Sequence, residues 1–169
     1  MADKHAVVRL DNMSGTKDGT LLKSVNFYKN DQPAEIDNGQ LVVLGERIGR
    51  EVFKATAPTA TSTVKDLVLI ANEELFYDET RTHYLTEWVN AAGADLRGYV
   101  LHNGDIFSDT AEAFNEAPAV GKFVGFAVDD TKLQIQASAD DKTFGKIVSS
   151  EKVGFGDGAY EYFEVDIKL

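Results

Sequence analysis

Short apolar or alternating runs, broken every few residues by Gly, Asn or Asp, dominate this chain. Residues 5–10 (HAVVRL) form a short run that stops at Asp11-Asn12, and residues 12–19 are polar and Gly-containing, so they read as a loop or flexible arm. Residues 21–29 alternate loosely, with Leu21, Val25 and Phe27 on one side. Further runs lie at 41–44, 50–56 and 66–71, the last rich in Val, Leu and Ile. They are separated by Asp31-Gln32-Pro33, by Asp37-Asn38-Gly39 and by the small-polar stretch 57–63 (APTATST), all turn or loop chemistry. Strands of this length and spacing predict a sandwich or barrel rather than a βαβ fold.

One segment breaks the pattern. Residues 82–92 (THYLTEWVNAA) place Tyr84, Leu85, Trp88 and Val89 at helical spacing, and Gly93 follows where a C-terminal cap favours positive φ. The spacing predicts one substantial helix over 82–92, with Asp78 or Thr80 as its N-cap. Next, 98–102 and 105–108 flank Asn103-Gly104, which predicts a hairpin with a two-residue type I′ turn. Ser108 or Asp109 then caps a short helix over 110–115, stopped before Pro118. A second hairpin is expected from 122–128, an Asp129-Asp130 turn and 132–137. Runs at 143–153 and 159–169 complete a mainly β chain without internal repeats.

Length and charge narrow the picture. A chain of 169 residues and 18.5 kDa is expected to form a single β-rich domain over 20–169, preceded by an arm over 1–19. At this size about 70% of the unfolded surface can be buried, enough for a core without staples. With 17 basic and 28 acidic side chains the net charge is −11, which repels phosphate backbones and anionic headgroups; neither nucleic acid nor a membrane surface is an expected partner. The strongest apolar run, 67–71, is far shorter than a membrane span, and the first twelve residues contain no apolar signal-peptide core. With no cysteine there are no disulfides, thiolate metal sites or Cys nucleophiles.

Candidate chemistry is sparse. His102, Asp105 and Ser108 bring the three triad residue types close together, but no nucleophile elbow accompanies them, and polar residues beside a turn account for the pattern. The acid pairs Glu73-Glu74, Asp129-Asp130 and Asp140-Asp141 lack the spacing of a calcium loop, and the glycines at 154, 156 and 158 lack the features of a phosphate cradle. His5, His83 and His102 share no metal-ligand spacing. Phe76, Tyr77, Tyr84 and Trp88 could form a stacking platform, although core packing is the simpler expectation at helical spacing. No catalytic, cofactor or metal residue is therefore expected, and a binding or structural module is favoured over an enzyme.

Several stretches carry a family resemblance. These are LDNMSGT (10–16), LVLIANEELFYDE (67–79), AAGADLRGYVLHNGDIFSDTAEAF (91–114) and VGKFVGF (120–126). Their order resembles small head decoration, or capsid-stabilising, proteins of tailed bacteriophages, most strongly over 67–114. Asp109 departs from that family's apolar or small residue after Ser108. The resemblance implies a small sandwich- or barrel-like (β-tulip-like) domain, with an N-terminal arm, on the exterior of a virion capsid, made in the host bacterial cytoplasm. It implies binding to the major capsid protein, self-association with a trimer favoured, and reinforcement of the expanded head. The arm residues Val7, Val8, Leu10 and Met13 are the expected capsid contacts, adding a strand to an exposed sheet edge; the other reading makes this segment the first strand of the domain's own sheet. A tail-tube or connector protein, or a carbohydrate-acting virion component, are the alternatives.

Overall fold

A computed structural model describes residues 4–169. Five strands close into a barrel: β2 (Leu22–Lys29), β4 (Leu41–Arg47), β5 (Val52–Thr56), β6 (Leu67–Ile70) and β7 (Leu96–Val100), where the intervening β3 (Gln32–Pro33) is a two-residue addition to β2. The order round the ring is β2-β5-β4-β6-β7, and β7 returns to pair with β2, Leu22 opposite Tyr99. The β2–β5 pair is parallel and the other barrel pairs are antiparallel. Because successive side chains face opposite sides of a strand, every second residue points inward. Val25, Phe27, Val42, Ala55, Val68, Ile70 and Leu96 form this interior core. Gly98 shares it without a side chain, as a Cβ there would stand 2.6 Å from Cγ1 of Val68.

The second sheet is open and fully antiparallel. Its order is β1 (Val8–Asn12), β8 (Ile106–Thr110), β12 (Tyr160–Ile167), β11 (Thr143–Val153), β9 (Phe123–Gly125) and β10 (Gln134–Gln136). Leu41, Val43, Leu67, Leu69 and Tyr99, on the outward faces of β4, β6 and β7, join one core with Phe107, Val124, Phe144, Ile147, Val165 and Ile167 of this sheet. Strands β4 and β6 are thus buried on both faces where they meet it, which explains why 41–44 and 67–70 read as unbroken apolar runs.

Mainly β architecture is as the sequence predicts; the substantial helix is not. Between 82 and 92 the only helical element is a three-residue 3₁₀ turn, Leu85–Glu87, flanked by extended Tyr84 and Trp88. His83, Tyr84, Thr86, Trp88 and Val89 are weak helix formers, and tertiary partners claim the backbone instead. Leu85 N–H donates to the Tyr160 hydroxyl (3.0 Å), Thr86 C=O accepts from His5 N–H (2.9 Å), and Asn90 exchanges main-chain bonds with Ile36 (3.1 and 3.3 Å). Gly93 does adopt φ +79°, but in a turn in which Ala94 N–H bonds Ala91 C=O.

The hairpin expected across Asn103-Gly104 is also replaced. Its two flanks, β7 and β8, belong to different sheets, so the turn is a crossover. Gly104 has φ +90° while Asn103 stays at negative φ, the type II pattern rather than the type I′ pattern that matches hairpin twist. The short helix over 110–115 shrinks to a 3₁₀ turn, Ala111–Ala113, that starts at Thr110; neither Ser108 nor Asp109 caps it. The second hairpin is present, with Ile135 opposite Val124 and Asp129 in the left-handed region at φ +59°.

Candidate functional site

Of the expected arm over 1–19, the first three positions lie outside the described residues and the rest is woven into the body. Val8–Asn12 forms β1, the edge strand beside β8, with Leu10 opposite Phe107. Of the four expected contact residues, Val7 (2% exposed) and Met13 (1% exposed) are buried, and Val8 and Leu10 pack partly against the main core. This is the geometry of a first strand of the domain's own sheet. Thr110 N–H bonds Val7 C=O (3.2 Å), which by alternation turns the main-chain groups of Val8 and Leu10 toward the free edge.

The side chains of His102, Asp105 and Ser108 make no hydrogen bonds to one another. Asp105 is buried; its Oδ1 accepts from the Ser14 N–H (2.8 Å) and hydroxyl (2.6 Å), and its Oδ2 from the His102 N–H (2.9 Å). Ser108 donates to Asp11. Two of the acid pairs mark turns: Asp130 accepts from Lys132 N–H and Asp140 from Lys142 N–H. Glu73 pairs with Arg97 (2.8 Å) and Glu74 accepts from Asn38. Among the described residues no three His, Asp or Glu side chains are grouped to hold a metal ion.

The aromatic set lies on the surface loop between β6 and β7 instead of in the core. Phe76 stacks on His83 at 4.4 Å and meets Trp88 edge-on at 5.5 Å, while Tyr77 is 91% exposed. His83 also bridges Asp78 C=O (2.8 Å) and Glu87 (3.2 Å), so this loop carries its own small cluster. Beside it, the Tyr160 hydroxyl and Gly158 of the β11–β12 connection meet Leu85 and Tyr84. A cleft of about 620 Å³ opens there, lined by Tyr84, Ala111, Pro118, Gly158, Tyr160 and Phe163. The outer half of β11 runs exposed to a tip where Phe155 is 98% exposed.

A buried polar seam joins barrel, open sheet and N-terminal segment. Asn38 is fully buried: its amide donates to Glu74 (2.6 Å) and to Asn72 C=O (2.9 Å), and its carbonyl accepts from Asn72 N–H (2.9 Å) and the Asn90 amide (3.0 Å). Asp37 holds His5 Nδ1 (2.7 Å) and Ala6 N–H (3.2 Å). Next to them Asp109 is 0% exposed; its Oδ1 accepts from Thr110 N–H (3.0 Å), and its Oδ2 meets no partner among the described residues. Burial drives this carboxyl well above the ordinary range, opposed by the Thr110 hydrogen bond and reinforced by Asp37, Glu112 and Glu74. The sequence suggests Ser108 or Asp109 as a helix cap; Asp109 instead lies on a strand between the buried Ser108 and Thr110.

Comparison with known proteins returns no match to a family model, a curated protein or a solved structure. No helix among the described residues is long and apolar enough to cross a membrane.

Proposed function

We propose that this chain is a non-enzymatic structural protein of a phage particle, which binds the outside of the expanded capsid and bridges neighbouring subunits of the major capsid protein. The observation that carries this reading is the β11–β12 hairpin, which projects Phe155 almost wholly into solvent beside the exposed Val153. Burying one such ring in a partner contributes about 1.5–3 kcal/mol, and many equivalent sites on a shell act together. A ligand of the expanded lattice alone stabilises that lattice by mass action. The residue-level resemblance over 67–114 and the net charge of −11, which keeps particles apart, point the same way.

The test is co-sedimentation with empty expanded shells of the major capsid protein, followed by thermal disruption. Wild-type protein should bind and raise the disruption temperature. Phe155→Ser should fold normally yet bind at least about tenfold more weakly, the equivalent of ~1.4 kcal/mol. Absence of wild-type binding overturns the proposal.

A second reading, a tail-tube or connector subunit, gains support from the same hairpin. Its eleven-residue strand β11 is of the kind that closes rings between subunits. Electron microscopy of labelled particles separates the two, since the label falls on heads in one case and on tails in the other.

A further inference from the structure

Asp109 lies where three parts of the chain meet. It is carried by β8 and packed against Gly39 of the barrel's 37–39 turn, where any side chain would overlap its carboxyl group. The third wall is the N-terminal segment, in which Val8 is its register partner across the ladder. That segment is fastened to the neighbours of Asp109: Val7 N–H donates to the Thr110 hydroxyl (3.1 Å), and Ala6 N–H donates to Asp37. On the opposite side Phe163 of β12 stands across from Asp109. A fully buried carboxyl with one unpartnered oxygen therefore lies between the barrel turn and the edge strand.

We infer that Asp109 is a proton-controlled latch on the N-terminal segment: neutral, it allows residues 5–12 to close over it, and ionised, it drives them off the body so that water reaches the carboxylate.

The surroundings supply the force. Asp37 faces it from the barrel turn, Glu74 from the chain after β6 and Glu112 from the turn after β8, while β12 offers Phe163 and, beside it, the ionisable Tyr162. Among the described bases of the N-terminal segment, His5 is engaged with Asp37 and Arg9 with Asp11 and Glu151, while Lys4 lines the cleft beside Glu112. Ionisation thus adds a negative charge near three other carboxyl groups, and among the described residues no cation bonds it. The N-terminal segment is the wall that yields. β1 is an edge strand whose one ladder partner is β8, its other ties being the Arg9–Glu151 ion pair and the packing of Val8 and Leu10, whereas Gly39 N–H is tied to Ile70 C=O (2.7 Å) and β12 is flanked on both sides. Opening uncovers the edge of β8, a surface on which another chain's strand can pair. Because the closed form holds its proton more tightly, the open population rises by up to about tenfold per pH unit above the ordinary carboxylate range, until the buried group has titrated.

Hydrogen exchange on the full chain between pH 5 and 8.5, corrected for intrinsic rates, tests the latch. Protection of the bonded amides of Ala6, Val7 and Arg9 in the wild type should fall by up to about tenfold per pH unit while β4 and β6 stay protected. Asp109→Asn should remove the slope, and His5→Gln should retain it. A flat wild-type profile, an unchanged slope in Asp109→Asn, or parallel loss of protection in β4 and β6 would each overturn the latch. Carboxyl ¹³C titration of Asp109 in the wild type provides a check independent of any variant: its midpoint must mark the end of the loss of protection, and a mismatch overturns the inference as well.

Discussion

The α-carbon of Gly39 rests directly on the carboxyl group of Asp109, and a β-carbon at residue 39 would occupy the space of the Asp109 oxygens. Gly39 also sits at φ +78°, a conformation that other residues adopt only with strain. Gly39→Ala combines both penalties. It should destabilise the fold by at least about 2 kcal/mol and lower Tm by ~4–8 °C in a thermal melt.

The same carboxyl sets a pH dependence of global stability. Its folded-state pKa is raised, so the folded chain binds the proton more tightly than the unfolded one. The Asp109 contribution is therefore greatest below the unfolded carboxylate pKa of about 3.9 and declines as pH rises toward the folded value, after which it is flat. Relative to wild type, Asp109→Asn should gain stability as pH is raised from 5 to 8, read from urea midpoints at each pH.

Inside the barrel, Gly98 leaves room for Val68 and Val25, at 2.6 and 3.3 Å from where its Cβ would stand. Gly98→Ala overfills this interior and should cost about 1–3 kcal/mol. Adding Val68→Ala removes the clashing methyl. The double variant should lose less than the sum of the two single changes, as a double-mutant cycle in urea would register.

Asp105 joins two distant pieces of chain, holding Ser14 with one oxygen and His102 with the other. Asp105→Ala removes the buried acceptor of three donors, two on half-buried Ser14 and one on His102. With each hydrogen bond to a charged group contributing about 1.5–3 kcal/mol, a loss of at least ~3 kcal/mol is expected in chemical denaturation. Amides 13–16 should exchange faster than those of β4.

What was legible in the sequence was local. The runs at 41–44 and 67–70 identify strands because both of their faces are apolar, and the ends of β11 and β12 fall close to the expected breaks. Barrel closure was not legible, since it depends on Leu22 meeting Tyr99 and on one parallel pair, contacts that no short window encodes. Asn103-Gly104 marks a turn in either topology; only the sheet that each flank joins tells a hairpin from a crossover. The helical spacing of Tyr84, Leu85 and Trp88 proved coincidental, because Tyr160, His5 and Ile36 take up the backbone groups a helix would need. The seam was hidden for a related reason. Asp37, Asn38, Asn90 and Asp109 each resemble ordinary turn or cap residues until the fold brings them together.

The strand order carries a consequence for how the molecule is made. All five barrel strands lie within residues 22–100, so this half can close while the rest is still being synthesised. The open sheet must wait, because β12 lies at its middle, between β8 and β11. At ~5–20 residues per second, the hydrophobic face of β4, β6 and β7 stays uncovered on the ribosome for several seconds before its lid arrives. During that interval nascent chains are most prone to stick to one another, and a ribosome stall between residues 100 and 160 would prolong it.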